Sequence, residues 1–113
     1  MAKDKDKPGP EVLDALFRTI DARRGADPEK SYTAKLFARG PAKIAQKLGE
    51  EATEAVIEVT RGDAKALTSE SADLLYHLLV AWAETGVKPD DVWRALAERQ
   101  GMSGVDEKKS RKS

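Results

Sequence analysis

The sequence contains no cysteine, which excludes disulfide bonds and thiolate metal ligands. It also has no excess charge of either sign: 20 basic residues balance 20 acidic ones, so net charge gives no reason to expect nucleic acid or a membrane surface as a partner. The longest apolar run, residues 74–83, is interrupted by His77 and is too short to span a bilayer. Because the N-terminus also lacks an apolar signal segment, we expect a cytoplasmic protein.

Both ends of the chain are poor in apolar residues. Residues 1–9 alternate charges and end in Pro-Gly, and residues 102–113 are nearly all charged or polar. Such segments bury too little apolar surface to offset the entropy lost on ordering. We therefore expect a loose N-terminal tail, a single domain over residues 10–101, and a polar C-terminal tail over residues 102–113. A core of this size is marginal for a monomer, which favours a homodimer.

Alanine, leucine, glutamate and lysine dominate the domain, and this composition favours helices. Apolar residues recur at helical spacing in four segments that glycine and proline separate. These segments are residues 10–23, 41–61, 63–85 and 88–100. Residues 31–39 predict a loop with a turn or two of helix. The segment 63–85 is apolar around most of its circumference, which is typical of a helix buried on all sides. The fold class is all-α: a bundle of four to five helices, completed by dimerisation.

Two acidic motifs carry the chemical interest. Glu50-Glu51-x-x-Glu54 lies on the predicted helix 41–61, and Glu70-x-x-Asp73 lies on the next helix. Residues three or four apart on a helix are neighbours, so each motif presents a pair of carboxylates on one face. Only a short connection separates the helices, so the two pairs can converge. Hard oxygen ligands in such a cluster suit Mg²⁺ or Mn²⁺, which bind phosphate substrates.

A simpler explanation exists for each motif alone. Glutamates on a helix usually form a solvated face, and acids near a helix N-terminus interact favourably with the helix dipole. It is much harder to explain by chance why both motifs occur on adjacent helices that a single turn connects. The sequence therefore favours a metal site.

A basic series precedes the acids. Lys35, Arg39, Lys43 and Lys47 fall at steps of four, although Gly40-Pro41 interrupts the helix between them. These cations could hold a triphosphate. The alternative is a solvated face with pairs such as Lys47–Glu51.

His77, the only histidine, follows Asp73 by one turn. A lone histidine on an apolar helix is more often a hydrogen-bonded core residue than a ligand. Its position makes a supporting role beside the metal site credible.

The acidic motifs resemble the signature of the MazG-type, all-α nucleoside triphosphate pyrophosphohydrolases. Within that superfamily the chain is most similar to the phosphoribosyl-ATP pyrophosphohydrolase family. The segments that carry this closer likeness are residues 31–36 (Ser-Tyr-Thr-Ala-Lys-Leu), 44–51, 72–79 (Ala-Asp-Leu-Leu-Tyr-His-Leu-Leu) and 103–108. The resemblance implies a MazG-like bundle and hydrolysis of phosphoribosyl-ATP to phosphoribosyl-AMP and pyrophosphate, the second step of histidine biosynthesis.

The same resemblance implies the site residues and the cofactor, which is Mg²⁺ with Mn²⁺ as a substitute. The implied metal ligands are Glu51, Glu54, Glu70 and Asp73. The implied catalytic residues are Glu50 and Glu51, with Glu50 orienting the ligands or the attacking water. The implied substrate-binding residues are Lys35, Arg39, Lys47, Tyr32, Thr33 and His77.

Two other functions compete with this interpretation. One is a housecleaning enzyme of the same superfamily that acts on ordinary or damaged nucleotides, and only residues 31–36 argue against it. The other is a non-catalytic helical dimerisation module. That module predicts that Mg²⁺ does not affect melting and that replacing the acids does not lower stability.

Overall fold

The computed structural model of the protein describes residues 7–101, and within that range the regular structure is entirely helical. The five helices are α1 (Glu11–Ala22), α2 (Tyr32–Arg39), α3 (Pro41–Arg61), α4 (Ala64–Thr85) and α5 (Pro89–Gln100). The all-α prediction is thereby confirmed. The polar segment 102–113, including the family-like residues 103–108, lies outside the described residues. No helix in the described part of the chain has the length and apolar character needed to cross a membrane.

Helix α2 is more regular than the sequence suggested. The Ser31 side chain accepts a hydrogen bond from the backbone N–H of Ala34 at 3.1 Å, which caps the first turn. Eight helical residues follow, ending at Gly40 with φ 93°. Pro41 then starts α3 in the first-turn position that proline favours.

Helices α3 and α4 form the main hairpin and make the most extensive helix–helix contact in the chain. Gly62 adopts φ 71°, a left-handed conformation that only glycine reaches easily, and ends α3. The next residue, Asp63, accepts a hydrogen bond from the backbone N–H of Ala66 at 2.9 Å and caps α4. Only these two residues, Gly62 and Asp63, connect the helices, which run antiparallel.

The core lies where the second half of α4 meets α1, α2 and the start of α3. Its buried residues are Phe17, Ile20, Leu36, Ile44, Leu79, Val80 and Ala83. The composition of helix α4 predicted burial on all sides, and this prediction is wrong. Its first half lies outside this core, and Leu75 remains 41% exposed.

The apolar stripe predicted for α3 is also only partly buried. Ile44 lies in the core, whereas Val56 and Val59 are each 61% exposed. These two valines are one turn apart and share a face of α3. Packing within one chain does not cover this part of the helix.

Two tryptophans attach α5 to the bundle. The Trp93 indole N–H donates to the Asp14 carboxylate on α1 at 3.2 Å, and the Trp93 ring meets Trp82 edge-to-face at 5.9 Å. This geometry gives both tryptophans a structural role.

Candidate active site

The α3–α4 hairpin brings the two acidic motifs together. Glu54 and Glu70 are equally far from Gly62 along the chain, and so are Glu51 and Asp73. In an antiparallel hairpin with its turn at Gly62, residues equally distant from the turn lie opposite each other. The local spacing on each helix and the short connection between them thus place the four acids on two adjoining turns of the hairpin.

Three of these acids form a tight group. Glu51, Glu70 and Asp73 each offer a carboxylate oxygen, and these oxygens lie within 4.8 Å of one another. One oxygen of Glu51 and one of Glu70, Oε2 in both, are buried without a hydrogen-bond partner. Buried carboxylate oxygens without a partner are costly, and three like charges at this distance repel. A cation among them would remove both penalties.

Glu54 borders this group without belonging to it. A hydrogen bond with Glu54 is the largest cause that raises the pKa of Glu70, to about 7, and burial contributes next. Such a bond requires one of the two carboxyls to hold a proton. For Glu51, burial raises the pKa first, and Glu54 and Asp73 raise it further. Both shifts favour the protonated forms of Glu51 and Glu70 relative to isolated carboxyl groups.

His77 lies next to the acid group. It is 5% exposed, and its Nε2 atom is 4.0 Å from Oε1 of Glu51, too far for a hydrogen bond. Burial lowers the pKa of His77, and the nearby Lys47 lowers it further, so the ring is neutral at pH 7. Its Nδ1 atom is buried without a hydrogen-bond partner. The structure thus places His77 beside the site, although without the core hydrogen bond that a lone histidine usually makes.

Glu50 lies outside the acid group. Its carboxylate accepts hydrogen bonds from Gln46 at 2.9 Å and from Lys47 at 3.1 Å, and its side chain is 46% exposed. These two bonds, in that order, lower the pKa of Glu50. The structure therefore does not bring Glu50 into the cluster, and Lys47 pairs with Glu50 rather than with Glu51.

The predicted substrate-binding residues of α2 divide into two sets. Tyr32 and Thr33 lie beside the site, with the Tyr32 ring 6.2 Å from the His77 ring. Lys35 and Arg39 are exposed on α2 and belong to a different helix from Lys47. The break at Gly40 therefore divides the basic series between two helices.

Sequence reasoning missed one residue of the site. The Tyr76 hydroxyl shares a short hydrogen bond with the Thr33 hydroxyl, and the Tyr76 ring meets His77 edge-to-face at 5.0 Å. Its apolar neighbours on α4 made Tyr76 look like a core residue. The available signal was its position three residues after Asp73, which puts it near the same face.

A cavity of about 410 Å³ lies elsewhere, at the other end of α4. Its lining includes Arg24, Phe37 and Glu84 and none of the predicted site residues. Size alone would make it a ligand pocket, but a functional site also needs converging reactive groups. Those groups are at the acid cluster, which we take as the candidate active site.

Comparison with known proteins identifies the family of this chain. A family model described as phosphoribosyl-ATP pyrophosphohydrolase matches residues 13–100. Phosphoribosyl-ATP pyrophosphatase of Azospirillum brasilense is 63% identical over 109 residues, covering 96% of this chain and 98% of that protein. Its namesake in Paramagnetospirillum magneticum is 59% identical over 100 residues, covering 88% and 92%. That of Rhodospirillum rubrum is 56% identical over 105 residues, covering 93% and 90%.

The family model spans all five helices apart from the first two residues of α1. The relatives match at more than half of the aligned positions over nearly their full lengths. The family that residues 31–36 and 72–79 suggested is thereby confirmed: this chain belongs to the phosphoribosyl-ATP pyrophosphohydrolase family.

Proposed function

We propose that this chain hydrolyses phosphoribosyl-ATP to phosphoribosyl-AMP and pyrophosphate, the second step of histidine biosynthesis. Family membership supports the substrate. Two observations carry the chemistry. Glu51 and Glu70 each have a carboxylate oxygen buried without a hydrogen-bond partner. Both residues also form, with Asp73, a group that offers carboxylate oxygens within 4.8 Å of one another. An arrangement that is unfavourable by itself is expected where a divalent cation completes it.

The donor set fits Mg²⁺, with Mn²⁺ as a substitute. All donors are carboxylate oxygens, which these hard cations prefer, and cysteine is absent. Glu51, Glu70 and Asp73 would hold the ion, and Glu54, which borders them, is the proposed fourth ligand. When bound, the cation would supply Lewis acidity, neutralising phosphate charge and lowering the pKa of water.

The protein's own carboxylates then handle the proton of the attacking water. Glu51 is the proposed base, because its carboxylate belongs to the acid group at which the water would be activated. Glu50 is a positioning residue: its contact at 3.1 Å holds the Lys47 ammonium near the cluster. The proposed phosphate contacts are Lys47, Lys35 and Arg39, which would balance charge on the departing pyrophosphate.

We further propose that the protein works as a homodimer. Val56 and Val59 on α3 are each 61% exposed, and Ile57 between them is 46% exposed. Leu75 on α4 adds a further exposed apolar side chain. A small bundle gains stability by burying such side chains against a second copy.

The activity has a direct test. Purified protein with Mg²⁺ and phosphoribosyl-ATP should release pyrophosphate, detected as orthophosphate only after inorganic pyrophosphatase is added. Glu51→Gln and Asp73→Asn should each abolish this release, and the matched variant Glu98→Gln, exposed on α5, should retain it. Orthophosphate formed without the coupling enzyme would contradict the cleavage position.

The same assay separates the competing functions. Preference for a deoxynucleoside triphosphate over phosphoribosyl-ATP would indicate a housecleaning enzyme. Absence of turnover with every substrate, together with acid variants at least as stable as the wild type and no effect of Mg²⁺ on melting, would indicate a dimerisation module.

A further inference from the structure

The Tyr32 ring combines exposure with a fixed orientation. Tyr32 is 53% exposed at the start of α2. Its ring is stacked on Tyr76, with 6.4 Å between centroids and 23° between planes, and it meets His77 edge-to-face at 6.2 Å. Two rings support it from the protein side, so much of the remaining surface faces outward.

The supporting rings are themselves fixed. The Tyr76 hydroxyl is hydrogen-bonded to Thr33, the residue after Tyr32, and this bond ties α2 to α4. His77 is buried and packs edge-to-face on Tyr76. A ring held this way loses little freedom when a ligand binds, and preorganisation of this kind increases affinity.

The Tyr32 ring is linked to the acid cluster through one residue, His77. The path runs from Tyr32 to His77 at 6.2 Å between rings, and from His77 to Glu51 at 4.0 Å. Lys47 lies one turn before Glu51 on α3, and its ammonium contacts the Glu50 carboxylate at 3.1 Å. In a nucleotide, one ribose separates the base from the α-phosphate. A nucleotide with its phosphates at the acids and Lys47 would therefore have its base within reach of Tyr32.

We propose that the exposed face of Tyr32 is the platform on which the adenine base of the substrate stacks, and that Tyr76 and Thr33 are positioning residues that hold it. The inference rests on the proposed function, which supplies a nucleotide substrate. Stacking suits the geometry because bases and aromatic rings pair through their flat faces. It also explains why a large aromatic side chain remains exposed beside a charged cluster.

The test removes the ring and compares ligands with and without a base. In Tyr32→Leu, KM for phosphoribosyl-ATP should rise roughly 5- to 150-fold, the range for loss of one base stack, with a smaller change in kcat. Tyr32→Phe keeps the ring and should raise KM less than Tyr32→Leu. Inhibition by inorganic tripolyphosphate, which has no base, should weaken less than two-fold in Tyr32→Leu. Leu96→Ala removes a side chain of similar exposure, 51%, on α5 and is the control.

Other results would overturn the inference. An unchanged KM in Tyr32→Leu would exclude stacking, and an equal loss of tripolyphosphate inhibition would show general damage to the site. A change in oligomeric mass of Tyr32→Leu would identify Tyr32 as an interface residue instead.

Failure of the proposed function would be seen separately, as absence of pyrophosphate release by the wild type. A titration with a non-hydrolysable ATP analogue would then still decide the inference. Weaker binding to Tyr32→Leu than to wild type would support stacking, and equal binding would reject it.

Discussion

The stability of the metal-free protein should fall as pH rises, and binding of Mg²⁺ should oppose this fall. The pKa of Glu70 is raised to about 7, chiefly by its hydrogen bond with Glu54, from an ordinary value near 4.5. The folded state therefore holds a proton that the unfolded state releases between these two values. Since unfolding then releases a proton, stability of the metal-free protein should fall as pH rises from about 4.5 through 7. A divalent cation favours the ionised carboxylates and should oppose this loss.

The size of the effect follows from linkage. At ten times its Kd, a ligand specific to the folded state adds about 1.4 kcal/mol to the free energy of unfolding, and for a domain of this size that raises Tm by roughly 6–11 °C. If Glu70 must be ionised to bind, the ionised fraction falls about ten-fold between pH 8 and pH 6, and the apparent Kd rises by the same factor. The same Mg²⁺ concentration should then raise Tm by only about 2–3 °C at pH 6.

Thermal melting followed by circular dichroism, with Mg²⁺ titrated at constant ionic strength, measures these shifts. Glu70→Gln removes both the charge and the titration. At pH 8 its metal-free form should melt above the metal-free wild type, and its response to Mg²⁺ should be much smaller. The control Glu98→Gln should respond as the wild type does. A wild-type Tm that ignores Mg²⁺ at pH 8, or an undiminished response in Glu70→Gln, would refute the reasoning.

Three further predictions test the fold and the assembly. Leu79→Ala, at a core position 1% exposed, should lower the free energy of unfolding in urea by about 2–5 kcal/mol, whereas Leu96→Ala should stay within about 0.5 kcal/mol; equal losses would contradict the described core. Thr33→Val and Tyr76→Phe each remove one end of the same hydrogen bond, so the double variant should lose less stability than the sum of the two single losses. Full additivity in a double-mutant cycle would show that this bond does not contribute to stability. Val56→Asp puts a charge on the exposed apolar face of α3 and should convert the proposed dimer to monomer in light scattering, and an unchanged dimer mass would move the interface elsewhere.

The helices could be predicted closely from the sequence because their boundaries depend on neighbouring residues. Gly40 and Gly62 end helices at positive φ, and Asp63 caps the helix that follows. The predicted helix 41–61 matches α3 for the same reason. Only α2 was underestimated, because its cap at Ser31 precedes a segment too short for a clear apolar period.

The convergence of the acids was also predictable, since it combines two local facts. Spacing of three pairs Glu51 with Glu54 and Glu70 with Asp73, and a two-residue turn makes their helices antiparallel. No long-range packing had to be known to expect one cluster. The likeness to a known family then supplied the substrate, which spacing alone does not specify.

Tertiary packing decided the rest. Tyr76 meets Thr33 across 43 residues of sequence, and no local pattern announces that pair. Glu50 lies beside Glu51 in the chain but turns to Gln46 and Lys47, because adjacent residues on a helix point about 100° apart. Which apolar residues are buried likewise depends on the helices that surround them. The local sequence therefore determined the helices and the meeting of the acids, whereas packing between distant segments determined which side chains surround them.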